Sequence, residues 1–254
     1  MITDDFEEVA FPVSRLPVQH PEFRYSESRN IYSAKLAREL EGRVYSDNAT
    51  ESKKGEWLSR FPDAVAGRAP SGRRPLHVEV GCNAGHVIVE WAARDSEAAY
   101  MGVDWKFKPV FRAAEKAKKR GIGNLLFLRA HAERLPFMFA EGEIDHLYLY
   151  FPDPWAKKSQ LKNRFVTPTN FARLHALVRP GGTFHIKTDH AGYFEWMVNA
   201  LAETSGLWET TALSRDLHAG NPDAIKLTMP EVTLFERLFI KDGLPIHSLM
   251  LKRI

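Results

Sequence analysis

The motif Phe-Pro-Asp-Pro-Trp at residues 151–155 is the segment of this chain best suited to chemistry. Its two prolines stiffen the backbone and remove two hydrogen-bond donors, so they project Asp153 and Trp155 from the end of the preceding apolar run. A carboxylate beside an aromatic ring suits an unstacked nucleobase, because the carboxylate accepts hydrogen bonds from base N–H groups while the ring stacks on the base. Lys157 and Lys158 follow at once, in place to meet phosphates. The alternative is a rigid turn that carries a core tryptophan.

A second candidate site begins at Glu79 and runs through a glycine-containing turn to residue 85. Gly81 and Gly85 lack a side chain, so they allow a ligand to approach the backbone closely. Asp104 follows about 20 residues later, where an acid can accept hydrogen bonds from ribose hydroxyls. Such a turn is common to nucleotide-binding folds, and a tight turn without a ligand remains the alternative.

Two features of this turn favour S-adenosylmethionine over a dinucleotide. The pattern is not G-x-G-x-x-G, because Asn83 takes the place of the middle glycine. Glu79 would repel a pyrophosphate, whereas it suits the cationic methionine end of a sulfonium cofactor. His131, after the third predicted strand, is expected beside the adenine.

The elements that must position these residues alternate between strands and helices. Strands are predicted at 76–80, 99–103, 125–128, 144–151, 183–187 and 247–252, and helices at 87–93, 107–120, 169–178 and 193–203, with a Pro-Gly-Gly turn at 180–182. This alternation predicts an α/β fold with a doubly wound, mostly parallel sheet, in which ligands bind at the carboxyl ends of the strands. Residues 1–74 read as a partly irregular, partly helical N-terminal extension with a helix at 31–40 and a linker at 64–75, and residues 75–254 as the main domain.

Composition limits the size of the fold, the disulfides and metal sites, and the location that we expect for this chain. The chain has 254 residues, of which 44% are hydrophobic and 26% charged, which suits one α/β domain with an extension. Cys82 is the single cysteine, so no intramolecular disulfide can form, and the ten histidines show no metal-ligand spacing. The acidic N-terminus lacks a signal-peptide pattern, and no apolar run is long enough to span a membrane. We therefore expect a cytoplasmic protein with no metal and no membrane partner.

Basic residues are concentrated in two runs, although the net charge is only +3. The first run, between residues 105 and 120, contains one acid and the cations Lys106, Lys108, Arg112, Lys116, Lys118, Lys119 and Arg120. The second, between residues 154 and 188, contains no acid and the cations Lys157, Lys158, Lys162, Arg164, Arg173, Arg179 and Lys187. Clustered cations are typical of proteins that bind a polyanion, although a solvated helix face also explains the first run.

The chain resembles the bacterial tRNA (guanine-N7)-methyltransferases. The resemblance rests on the 151–155 motif with Lys157 and the basic stretch after it, on Thr188-Asp189, and on the late segment from Thr233 to Glu236 with the tail 243–251. The leading segment 30–36 is also similar, although Ile31 stands where a proline is usual. The resemblance implies a Rossmann-like class I methyltransferase that uses S-adenosylmethionine and acts on guanine 46 in the variable region of tRNA.

The resemblance also implies roles for individual residues. Glu79 and Asp104 match family positions that bind S-adenosylmethionine, and Asp153 also touches the cofactor side. Asp153 further matches the family's proposed catalytic acid. Positions that match its substrate-binding residues are Lys157, Asp189, Thr233, Phe235 and Glu236. Two departures bear on the cofactor: Asn83 replaces a glycine, and His131 stands where an acid is usual.

The chemistry that this resemblance implies needs no strong base. Guanine N7 carries a lone pair and no proton, so it can attack a sulfonium methyl group in line, and the protein must supply mainly alignment. Other interpretations stay open: a methyltransferase acting on an exocyclic amino group, a non-catalytic tRNA-binding protein with the same fold and, more distantly, an NAD-dependent oxidoreductase. Asp189 could instead cap a helix, as could the Thr233–Glu236 segment. The sequence leaves open whether the protein is a monomer or a homodimer.

Overall fold

The computed structural model describes residues 16–61, 73–219 and 233–254 of the chain. The acidic N-terminus and most of the predicted linker at 64–75 lie outside these residues. Strands within the described part form one sheet in the order β1-β4-β3-β2-β5-β6-β8-β7. Their bounds are β1 Val44–Ser46, β2 Leu76–Val80, β3 Ala99–Asp104, β4 Leu125–Arg129, β5 Ile144–Tyr150, β6 Val178–Thr188, β7 Trp208–Ser214 and β8 His247–Arg253.

The sheet is parallel from β1 to β6 and antiparallel at β8 and β7. The chain starts the main domain in the middle of the sheet at β2, moves outward through β3 and β4, and then returns to β5 on the other side of β2. This reversal is a topological switch point, where open α/β sheets bind their ligands. The predicted doubly wound, mostly parallel sheet is confirmed.

Helices cover both faces of the sheet. Their bounds are α1 Ile31–Glu39, α2 Ile88–Arg94, α3 Phe107–Lys119, α4 Leu135–Met138, α5 Pro168–Leu177, α6 Ala191–Ala202 and α7 Leu234–Lys241. Apolar side chains of α1, α2 and α3 form one core with Phe127 and Tyr148 of the sheet, while those of α4, α5 and α6 form a second core with the opposite face. Burial of apolar side chains on both faces explains why the central strands are near-continuous apolar runs.

The N-terminal extension is attached to the main domain by buried arginine contacts. Arg134 is fully buried after β4, and its Nη1 donates hydrogen bonds to the carbonyls of Val18 and His20 at 2.9 and 2.6 Å. Its Nε donates to the Glu51 carboxylate at 2.7 Å. Strand β1 of the extension also pairs with β4, so this segment enlarges the sheet of the main domain.

Three local features differ from the sequence-based prediction. Strand β1 has three residues, too few for a periodic signal, and β7 is an edge strand whose residues are mostly exposed. The predicted Pro-Gly-Gly turn lies inside β6, which begins at Val178 directly after α5. The glycines form an irregularity in the register with β5, where a Cβ on Gly182 would lie 2.6 Å from the Asp145 carbonyl oxygen. Close approach to the neighbouring strand, rather than chain reversal, therefore explains this glycine.

Candidate active site

Four acids singled out from the sequence come together at one edge of the sheet. Asp104 ends β3, Glu79 lies one residue before the end of β2, Asp153 follows β5, and Asp189 follows β6. These strands are consecutive neighbours, β3-β2-β5-β6, and run in the same direction, so their carboxyl ends line one crevice.

Glu79 is the buried acid of this crevice. Its side chain lies in the interior, and its Oε2 has no hydrogen-bond partner among the described residues. Burial raises the pKa of Glu79 to about 8; the backbone N–H of Ile88 opposes this shift, and the charge of Asp104 adds to it. A buried carboxyl with an open oxygen is costly, because polar groups in protein interiors are normally hydrogen-bonded. A cationic ligand group would supply the missing partner.

The turn after β2 is held by Asp104. The Oδ2 atom of Asp104 accepts the Asn83 N–H at 3.0 Å, and its Oδ1 accepts the Lys106 N–H at 2.9 Å. Asn83 has φ 48°, which asparagine tolerates better than most residues. Gly81 has φ 78°, and no atom lies within 4 Å of the Cβ that any other residue would carry. The backbone at Gly81 therefore borders open space, as expected beside a ligand.

Gly85, unlike Gly81, lies against closely packed side chains. A Cβ on Gly85 would lie 2.9 Å from both the Ala113 Cβ and a methyl carbon of Val89. The close packing of α3 on this turn therefore explains Gly85 within the described structure, whereas Gly81 leaves room for a ligand.

His131 lies in a stack of three parallel rings. Its imidazole is parallel to the Trp105 indole, with centroids 5.4 Å apart, and to the Tyr25 ring at 6.0 Å. Its backbone N–H donates to the Tyr25 hydroxyl at 2.8 Å. Burial lowers the pKa of His131, so the ring is predominantly neutral at pH 7. The half-exposed Trp105 directly follows Asp104, so the stack lies beside the carboxyl end of β3.

The loop that carries Asp153 has an unusual backbone. Phe151 and Trp155 adopt left-handed conformations with φ 51° and φ 44°, and the Phe151 N–H donates to the Lys187 carbonyl at 2.8 Å. Asp153 and Lys157 are exposed, and Trp155 is half-buried. The Arg164 Nε donates to the Pro154 carbonyl at 2.9 Å. Asp153 thus lies exposed on a loop whose two ends are both hydrogen-bonded to the rest of the protein.

Asp189 does not cap the helix that follows it. The N-cap of α6 is His190, whose Nδ1 accepts the Tyr193 N–H at 3.1 Å. The alternative role that the sequence allowed for Asp189 is therefore wrong. Its half-buried carboxylate remains available at the carboxyl end of β6.

The late motif opens α7 through reciprocal capping bonds. The Thr233 hydroxyl accepts the Glu236 N–H at 3.0 Å, and Glu236 Oε2 accepts the Thr233 N–H at 2.7 Å. Glu236 is fully buried, and its Oε1 lies 2.9 Å from the buried Lys187 Nζ. Phe235 is half-exposed and packs on Phe151 with ring centroids 5.8 Å apart. The helix-cap interpretation is confirmed, and it places Phe235 against the loop of Asp153.

A family model described as "Putative methyltransferase" matches residues 73–249. A tRNA (guanine-N(7)-)-methyltransferase of Bdellovibrio bacteriovorus is 33% identical over 201 residues, which cover 79% of this chain and 90% of the relative. The chain belongs to the tRNA (guanine-N7)-methyltransferase family. A Lactococcus lactis member is 32% identical over 199 residues, covering 78% of this chain and 85% of that protein. A solved structure of the 16S rRNA methyltransferase KamB superposes with a TM-score of 0.53 at 20% identity, covering 72% of this chain and 89% of that one, and shows the shared fold.

Within this methyltransferase, the structure adds residues that sequence reasoning missed. Trp105 and Tyr25 stack on His131, Arg164 hydrogen-bonds to the loop that carries Asp153, and Lys187 pairs with Glu236 of the helix that carries Phe235. Both cations were counted among the residues that could face a polyanion. A signal existed for Trp105, since it directly follows Asp104, but the contact of Tyr25 with His131 spans 106 residues and has no local signature.

The cations of the first basic run divide into those with a hydrogen-bond or ion-pair partner and those without one. Lys116 and Lys118 donate to main-chain carbonyls, and Lys119 and Arg120 pair with Glu115 and Glu90. The exposed cations of this run with neither an ion pair nor a side-chain hydrogen bond among the described residues are Lys106, Lys108 and Arg112. All three lie in or just before the first half of α3, near the edge of the sheet where the acids meet. Among the described residues no group of three or more His, Cys, Asp or Glu is placed to hold a metal, and no helix is long and apolar enough to cross a membrane.

Proposed function

We propose that this chain transfers a methyl group from S-adenosylmethionine to N7 of guanine 46 in the variable region of tRNA. The observation that carries the proposal is the convergence of a cofactor-side pair, Glu79 and Asp104, with Asp153 at one switch point of the sheet. Family membership supports the reaction class, because named relatives are tRNA (guanine-N7)-methyltransferases.

The residues of the crevice fit S-adenosylmethionine. Glu79 offers a buried oxygen without a partner, which suits the ammonium group of the methionine end. Asp104 remains able to accept ribose hydroxyls, since each carboxylate oxygen accepts more than one hydrogen bond. The open space at Gly81 admits the ligand against the main chain, and His131 with Trp105 borders the adenine side. When bound, the cofactor supplies an electrophilic methyl group on a sulfonium.

Asp153 and Asp189 are assigned to the guanine. Guanine N7 attacks with its own lone pair, so positive charge develops on the purine and its N1–H and exocyclic amine become more acidic. Asp153, aided by Asp189, accepts hydrogen bonds from these groups and stabilises the charge as it develops. We assign stacking on the base to Phe235, which is half-exposed beside Phe151, and a supporting role to Thr233, whose hydroxyl caps the same helix. Glu236 then serves the substrate by holding α7, since its carboxylate is buried and engaged.

The phosphates of the RNA are assigned to exposed lysines. Lys157 and Lys158 follow the Asp153 loop directly and have no ion-pair partner among the described residues. Cations in this position orient the backbone of the RNA without reading its sequence.

The decisive experiment is methyl transfer from labelled S-adenosylmethionine to an unmodified tRNA transcript, followed by nucleoside analysis. We expect label in 7-methylguanosine and none in a transcript whose guanine 46 is replaced by adenine. Label in an exocyclic N-methyl nucleoside would replace the proposal by the amino-group alternative, and tRNA binding without any transfer would replace it by the non-catalytic one.

The role of Asp153 is tested in the same assay. The Asp153→Ala variant should lose on the order of 10²–10³-fold in turnover, the usual cost of removing one group that stabilises transition-state charge. Asp242→Ala, at the exposed end of α7, is the matched control and should match the wild type. Near-native turnover of Asp153→Ala would remove Asp153 from the mechanism.

A further inference from the structure

Arg164 belongs to the second basic run in the sequence, but it is buried, unlike the neighbouring lysines of the run. Arg164 is 8% exposed, whereas Lys157, Lys158 and Lys162 of the same run are exposed. A buried guanidinium is not available to phosphates of a docked RNA, so the contacts of Arg164 inside the protein decide what it does.

Those contacts join the Asp153 loop to helix α6. The Arg164 Nε donates to the Pro154 carbonyl at 2.9 Å. The guanidinium carbon lies 4.8 Å from the ring centroid of Tyr193 and 5.0 Å from that of Trp196, within the range of cation–π attraction. The planar guanidinium can stack on rings and donate in its plane at the same time, which a lysine ammonium cannot do.

The same helix fixes the chain just beyond Arg164. The Tyr193 hydroxyl accepts the Val166 N–H at 3.1 Å, and the Trp196 Nε1 donates to the Val166 carbonyl at 2.8 Å. Helix α6 begins two residues after Asp189. Arg164 therefore connects the loop of one acid to the helix that directly follows the other.

The loop needs such a support because its backbone is strained. Phe151 and Trp155 flank Asp153 with positive φ, a conformation that brings the Cβ atom of a residue too close to the following carbonyl oxygen. In the described ranges, Arg164 is the one residue whose side chain hydrogen-bonds to the main chain of residues 151–155.

We propose that Arg164 is a positioning residue for methyl transfer, which holds Asp153 in register with Asp189 by tying the Pro154 carbonyl to α6, and that it does not bind RNA. The inference rests on the proposed function, since it needs Asp153 to act in the reaction. It assigns a distinct task to one cation of a run whose other members at 157–162 face solvent.

The test measures the single-turnover rate and the tRNA affinity separately for Arg164→Ala and for Lys162→Ala, an exposed cation two residues away. We expect Arg164→Ala to lower the rate at saturating tRNA on the order of 10²-fold, the cost of a misplacement of about 1 Å. Its tRNA affinity should keep the wild-type salt dependence. Lys162→Ala should instead weaken tRNA binding and reduce the slope of log K against log salt by about 1.

A double-mutant cycle separates positioning from general weakening of the fold. If Arg164 acts through Asp153, adding Arg164→Ala to Asp153→Asn should cost little further rate, because the group being positioned is already lost. Fully multiplicative losses, a near-native rate, or a reduced salt slope in Arg164→Ala would each overturn the proposal. Should Arg164→Ala fail to fold, Arg164→Lys keeps the cation over the rings, and the same rate loss is expected because its ammonium cannot also reach the Pro154 carbonyl.

Methyl transfer by the wild-type protein distinguishes a failure of the proposed function from a failure of the role of Arg164. Absence of methyl transfer by the wild type contradicts the proposed function itself. Transfer by the wild type with an unaffected Arg164→Ala rate contradicts only the role of Arg164.

Discussion

At the scale of single residues, burial gives Glu79 properties that its sequence position does not reveal. Its pKa of about 8 lies above the ordinary value of 4.5, so the folded protein retains a proton that the unfolded chain has lost between these pH values. Glu79 therefore lowers the free energy of unfolding progressively as the pH rises through this window. Such a cost is tolerated at functional sites, where perturbed carboxyls concentrate.

The cofactor affinity should depend on the ionisation of Glu79. We expect the affinity for S-adenosylhomocysteine, measured by titration calorimetry, to rise up to about tenfold from pH 6 to pH 7, because only the ionised carboxyl pairs with the ammonium group. Glu79→Gln should bind weakly and with little pH dependence in this range. An equally flat profile in the wild type would contradict this role of Glu79.

At the scale of elements, α3 packs on the turn after β2, and this packing predicts different stability losses for substitutions at two glycines. Gly85 and Gly121 both have positive φ, at 64° and 67°, but only Gly85 faces close neighbours. Gly85→Ala should lower the free energy of unfolding by about 2–5 kcal/mol, from backbone strain together with overpacking against Ala113 and Val89. Gly121→Ala should cost about 1–2 kcal/mol from backbone strain alone. Equal losses in denaturant melts would contradict the packing role.

Helix α7 offers a second element-scale test through its buried ion pair. Lys187→Met leaves Glu236 buried without its cation, so we expect a loss of about 3–5 kcal/mol in the free energy of unfolding. Lys252→Met, on the neighbouring strand, removes an exposed lysine 4.0 Å from Glu209, and surface pairs of this kind contribute at most about 1 kcal/mol. A loss below about 1 kcal/mol in Lys187→Met would show that the pair does not hold α7.

At the scale of the whole molecule, the position of each cation relative to the acid-lined edge decides its expected effect on RNA binding. Lys108 and Lys119 lie in the same helix about 16 Å apart along its axis. Lys108, at the edge, has no ion pair among the described residues, and Lys119, at the far end, pairs with Glu115 at 2.9 Å.

Salt dependence of tRNA binding should separate these two lysines. Lys108→Ala should reduce the slope of log K against log salt by about 0.7–0.9, the value for one lost phosphate contact. Lys119→Ala should leave the slope unchanged. If both variants kept the wild-type slope, the RNA would lie away from the first half of α3.

The sequence by itself determined the parallel strands β2 to β6 and the motifs at their ends. Apolar runs bounded by glycine or proline carry this information locally, so β2 was predicted with its observed bounds and the acids were expected at one edge. Edge strands β1 and β7 escaped prediction, because one is short and the other is mostly exposed. The site assignments remain predictions that the variants above address.

Only the tertiary structure decided which of the chemically similar residues face the solvent. Arg164 and Lys187 look like their neighbours in the basic run, but they are buried because α6 and α7 pack on them. One of the two rings that stack on His131 belongs to Tyr25, which is distant in sequence. Burial, pairing and the pKa of Glu79 depend on what lies across from a side chain in space, and local sequence patterns do not contain that information.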